Sequence, residues 1–130
     1  MKKLFITGCL LAFSIIGVFC QNRNPLPPVS CEYKISLFDT YGDGWNGGTL
    51  TVLVNNSPTT PGPLNGIFLA GGSGPADFYF DVLSGDQITT TFTAGSWPNE
   101  PNYRIYDNIG TEVWYAPPGA SGPPDILAGQ

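Results

Sequence analysis

From Cys31 onward, apolar residues recur at every second position in short runs, and glycine, proline, asparagine or aspartate cuts each run. Cys31, Tyr33, Ile35 and Leu37 alternate with Glu32, Lys34 and Ser36. Leu50, Val52 and Val54 alternate with Thr49, Thr51 and Leu53, and Phe78, Phe80 and Val82 with Asp77, Tyr79 and Asp81. Ile88, Thr90, Phe92 and Ala94 alternate with Gln87, Thr89, Thr91 and Thr93. A period of two sends successive side chains to opposite faces, so each run reads as a half-buried strand. Tyr103 to Tyr106 and Glu112 to Tyr115 add a hairpin around Asp107-Asn108-Ile109-Gly110, and Ile67 to Ala70 reads as a short edge strand. No stretch after residue 20 sustains a helical period. The pattern predicts an all-β fold, an antiparallel β-sandwich or jelly roll of about seven to eight short strands. At 130 residues, one such domain is expected.

The start of the chain is of a different kind. Lys2 and Lys3 precede an apolar run from Leu4 to Cys20, the layout of a secretory signal peptide. Residues 1–20 are therefore expected to be a signal, residues 21–30 ("QNRNPLPPVS") a proline-rich extended tail, and residues 31–130 the sandwich. An uncleaved anchor and a lipid on Cys20 are the alternatives, the second disfavoured by bulky Phe19. With Cys9 and Cys20 gone, Cys31 is alone and has no intrachain partner. It reads as a buried thiol or an intermolecular link. Without a disulfide, a domain this small needs a sound apolar core or a metal.

Charge narrows the partners. Losing Lys2 and Lys3 leaves Arg23, Lys34 and Arg104 against ten carboxylates, a net charge of minus seven. Nucleic acids and anionic membrane surfaces call for the opposite sign. Divalent cations suit it.

The stretch that concentrates chemistry is Asp39-Thr40-Tyr41-Gly42-Asp43-Gly44-Trp45-Asn46-Gly47-Gly48. Its aspartates and Gly44 match positions 1, 5 and 6 of a calcium-binding EF-hand loop, but position 3 is Tyr41 and the closing glutamate is replaced by Leu50. The loop thus reads as part of a calcium site completed from elsewhere in the fold. Two carboxylates at short range repel unless a cation lies between them. Glycines let the chain turn its carbonyls inward, and Asn46 offers a further oxygen. With no histidine and one remaining cysteine, zinc and copper lack their usual ligands. The plainer reading is a turn, since Asp and Gly are ordinary turn formers.

This stretch resembles the D-x-Y-G-D-G-W-N-G motif of a secreted β-sandwich module found in Bacteroidetes-type extracellular proteins, CUB-like by analogy. A second segment of that module, G-x-[WY]-x-x-E-x-x-Y-x-I-x-D-x-x-G, is matched from Gly95 to Gly110. The resemblance implies a sandwich, an extracellular address and Glu100 as a distant calcium ligand. Asp107 suits the hairpin turn, and Asp77 and Asp81 the solvent face of their strand.

Trp45 and Trp97 lie in loops among glycine, proline and acid, where an indole can stack on a sugar ring. For Trp45 the competing reading is a plug at the end of the sandwich, its N–H bonded to a carbonyl. Trp114 reads as core or as an assembly surface. Absence of histidine removes the usual catalytic triads, and Asp39 and Asp43 sit too close in one loop to embrace a substrate. No enzymatic activity is expected. Two functions remain: a calcium-dependent adhesion or carbohydrate-binding module whose partner is a glycan or surface polymer, and a self-assembling subunit of an extracellular filament or matrix. In the second, the tail would add a strand to a neighbour's sheet.

Overall fold

A computed structural model describes residues 30–58, 64–119 and 126–129. Residues 1–29, where a signal and a tail are expected, lie outside these, and with them the cleavage, lipidation and strand-addition readings. No helix among the described residues is long and apolar enough to cross a membrane.

The alternating runs form strands in the expected places: β1 (Ser30–Asp39), β2 (Thr49–Val54), β4 (Ala76–Leu83), β5 (Gln87–Thr93), β6 (Pro101–Tyr106) and β7 (Glu112–Ala116). Two further short strands are β3 (Ser57–Pro58) and β8 (Ile126–Leu127). They make two sheets, ordered β4-β1-β6-β7 and β3-β2-β5-β8, with every strand pairing antiparallel. The inward faces of the two sheets meet in one core. Tyr33, Ile35, Leu37, Phe80, Val82, Tyr103 and Ile105 from the first sheet pack on Leu50, Val52 and Ile88 from the second. The fold is a small antiparallel β-sandwich. A bond across the core links the sheets, with the Tyr103 hydroxyl 2.7 Å from Thr90 Oγ1. Burial pushes the Tyr103 phenol up to about 12.

Four expectations are corrected. Residues 67–70 are not a strand; Ile67 makes a single bridge to Leu50, and the Leu69 carbonyl turns away to accept from the Trp45 amide. Ser57 and Pro58 leave the expected turn and pair with β2, and the strand start moves back to Ser30. β1 also runs on through Phe38 and Asp39, so Asp39 ends a strand instead of sitting in the loop. Cys31 is a free thiol, partly buried against the core. Asp77 and Asp81 are exposed as expected, Asp77 accepting from Ser36 at 2.6 Å and pairing with Lys34 at 3.4 Å. Asp107 closes its hairpin by accepting the amides of Ile109 and Thr111.

The strand directions place the end of β1, the starts of β2, β4 and β6, and the end of β5 at one end of the sandwich. The loops that hold the acidic and aromatic candidates converge there.

Candidate functional site

Asp39 continues the inward period of β1. Tyr33, Ile35 and Leu37 face the core, and Asp39, two residues on, is 4% exposed. A carboxylate there costs solvation and needs partners. Its Oδ1 accepts the amide of Gly42, while Oδ2 is buried with no hydrogen-bond partner.

Asp43 is exposed and held from two sides. Its backbone bridges Gly72, and Asn46 Nδ2 donates to its Oδ1 at 3.0 Å and to the Gly44 carbonyl at 3.1 Å. The Asn46 amide group thus braces Asp43 with its nitrogen, in place of the oxygen expected of it as a metal ligand. Gly44 makes the turn possible. Its φ is +90°, and a Cβ there would lie 2.7 Å from the Leu69 carbonyl oxygen. Only a residue without a side chain lets the two loops touch.

Glu100 arrives from a different element. The β1–β6 register sets Asp39 opposite Pro101. One step further, both the Thr40 amide (3.3 Å) and hydroxyl (3.0 Å) donate to the Glu100 carbonyl. Glu100 Oε2 is also buried without a hydrogen-bond partner. The Glu100 carboxyl is held above its ordinary value, first by desolvation and then by the negative charges of Asp43 and Asp39.

The result is one cluster. A carboxylate oxygen from each of Asp39, Asp43 and Glu100 lies within 4.8 Å of the others. That span equals two calcium–oxygen bonds of roughly 2.4 Å end to end. The set is all oxygen, hard and anionic, which suits calcium or magnesium over zinc or copper. Cys31 is the second residue of the strand that Asp39 ends, about 26 Å away at ~3.3 Å per residue, so no thiolate joins it.

Beside the cluster is a cavity of about 310 Å³ lined by Tyr41, Asp43, Trp97 and Glu100. Tyr41 is 79% exposed and Trp97 59%. Backbone bonds pin the Trp97 loop on both sides, from Ser96 to the Asn46 carbonyl at 3.0 Å and from Glu100 to the Trp97 carbonyl at 3.2 Å.

Trp45 is a correction to the stacking pair. It is 1% exposed, its Nε1 donates to the Phe38 carbonyl at 2.8 Å, and its ring meets Phe92 edge-on at 5.8 Å. The indole plugs the sandwich and offers no face to a ligand. The exposed aromatics that line the cavity are Trp97 and Tyr41. Sequence reasoning passed over Tyr41 as a ring and Thr40 as a tether, although both stand inside the motif.

No protein-family model matches the chain, and neither curated proteins nor solved structures give a match.

Proposed function

We propose that this protein is a non-enzymatic, secreted calcium-binding β-sandwich module that serves adhesion or carbohydrate binding at the cell surface. The observation that carries the reading is Asp39. A carboxylate on the core face of β1, with one oxygen buried and unpartnered, stands beside two more carboxylates. Like charges so arranged call for a cation. Calcium takes six to eight oxygens in flexible geometry, which three carboxylates begin to supply and carbonyls or water can finish. The reading is non-enzymatic because the sequence has no histidine for the usual catalytic triads.

Thermal unfolding with calcium and with a chelator tests the reading. A ligand that binds only the folded state raises its melting temperature by mass action. Asp43→Asn should shrink the difference. Equal melting temperatures in both buffers, with calorimetry giving no heat of calcium binding, refute it.

The filament alternative draws on β4, an eight-residue outer strand paired only with β1 among the described strands. An open edge of that length can accept a strand from a second copy. Concentration-dependent polymerisation that disappears on deleting residues 21–30 would favour it.

A further inference from the structure

We infer that the cation is shared with the ligand: a neutral sugar chelates it through two vicinal hydroxyls while its ring lies against Trp97 and Tyr41. This rests on the calcium reading above and names the class of molecule that the same site takes.

The first observation is the unfilled ligand set. Asp39 offers one buried, unpartnered oxygen, and Glu100 another. With Asp43, at one oxygen from each residue, they supply three oxygens, fewer than the six to eight that calcium takes. Asp43 and Glu100 also line the cavity, so the ion's remaining positions open into it. Whatever enters the cavity meets the cation directly.

The second observation is what else lines it. Tyr41 and Trp97 complete the lining and keep most of their surface in water. Trp97 sits on a backbone fixed by hydrogen bonds on each side, so little ordering remains to be done when a ligand docks. Aromatic faces carry negative charge and attract the slightly positive C–H faces of a sugar ring. The cavity, about 310 Å³, is at the small end of the roughly 300–1,000 Å³ range of ligand pockets, a size for one sugar residue of a longer glycan.

Charge selects among oxygen donors. Three carboxylates and one dication leave the site at minus one. A carboxylate or phosphate ligand is repelled by that remainder, and a protonated amine would compete with calcium for the same oxygens. Hydroxyl groups carry no charge, and a vicinal pair replaces two waters on the ion without a Coulombic cost.

The test is titration of the full protein with methyl glycosides of mannose, galactose, fucose and glucose, followed by NMR and calorimetry, in calcium and in chelator. At least one glycoside should bind in calcium and fail in chelator. By linkage, saturating that glycoside should tighten calcium binding by the same factor by which calcium tightens the glycoside. Trp97→Ala should weaken the glycoside at least tenfold and leave the calcium affinity within about twofold. Calcium binding with no glycoside response from the Trp97 indole overturns this inference and leaves the calcium reading standing. Absence of calcium binding overturns both. Binding of Nα-acetyl-lysine amide in calcium, where none of the glycosides binds, also overturns it, and makes the pocket a receptor for basic peptides.

Discussion

Thr40 donates both its backbone amide and its hydroxyl to the carbonyl of Glu100, across 60 residues of sequence. The pair locks the loop after β1 to the loop before β6, and so fixes the distance between Asp39 and Glu100. Thr40→Val keeps the shape and removes the hydroxyl donor. One such bond contributes about 1 kcal/mol, or roughly fivefold in an equilibrium constant. Calcium affinity is therefore expected to fall by up to about fivefold, with the melting temperature in chelator lower by no more than the roughly 4–8 °C that 1 kcal/mol represents. A large loss of stability in chelator would make Thr40 a general structural bond and not a tether of the site.

Removing charge at Asp39 should act with opposite signs in the two buffers. In chelator the buried carboxylate faces Asp43 and Glu100 without compensation, so Asp39→Asn should melt higher than the natural protein. In calcium it should melt lower, because a ligand is gone. At a hundredfold excess over the dissociation constant, calcium contributes about 2.7 kcal/mol to the natural protein. For a domain of this size that is on the order of 10 °C. An Asp39→Asn variant that melts below the natural protein in both buffers would mean that Asp39 serves the fold alone, through its bond to Gly42.

Acid should reveal Glu100 in the calcium-free protein. Desolvation and the charges of Asp43 and Asp39 raise its carboxyl above the ordinary 4.5. A carboxyl raised in the folded state favours folding fully below its unfolded value, and this support is lost as pH rises through the folded value. In chelator, Glu100→Gln should thus melt above the natural protein at neutral pH. The gap should close as pH falls toward 4.5. A gap independent of pH, measured by paired melts across that range, would remove Glu100 from the cluster's electrostatics.

How far the site could be read from sequence varies residue by residue. The alternation of Cys31, Tyr33, Ile35 and Leu37 fixes the inward face of β1, and carrying the same parity one step further reaches Asp39. Asp43 and its glycines announce a turn. Nothing local pairs Glu100 with Asp39; that needs the β1–β6 register, which no single strand encodes. Asn46 was ambiguous because an amide carries a donor and an acceptor on one carbon, and only the position of Asp43 decides which is used. β3 and β8 are two residues each, too short to show a period.

Gly44 joins the site to the fold. At φ +90°, with the Leu69 carbonyl oxygen 2.7 Å from where a Cβ would stand, Gly44→Ala is both strained and obstructed. Incompatible backbone positions cost on the order of 1–3 kcal/mol. The loop would have to part from residues 69–71, taking Asp43 away from its bridge to Gly72. The expected outcome is a lower melting temperature in chelator together with weaker calcium binding. Gly47→Ala is a useful partner: its φ is +87° but nothing lies within 4 Å of its Cβ position, so it carries the strain without the clash. If both variants bind calcium equally well, the contact at Gly44 is irrelevant to the site.

The two loop tryptophans should separate cleanly. Trp45 is 1% exposed, bonded to the Phe38 carbonyl and packed edge-on to Phe92, whereas Trp97 keeps 59% of its surface in water. Trp45→Phe deletes the indole donor, leaves the Phe38 carbonyl without that partner and shrinks a filled space, at a cost of roughly 1–3 kcal/mol. Trp97→Ala removes little that the fold uses, and surface changes of this kind stay within about 0.5 kcal/mol. Urea unfolding midpoints should therefore drop for Trp45→Phe and barely move for Trp97→Ala. Calcium affinity should follow the first and ignore the second, because Trp45 sits under the loop that carries Asp43. A Trp97→Ala variant as unstable as Trp45→Phe would show that the Trp97 ring is committed to packing, and a ring so committed has no face to give a sugar.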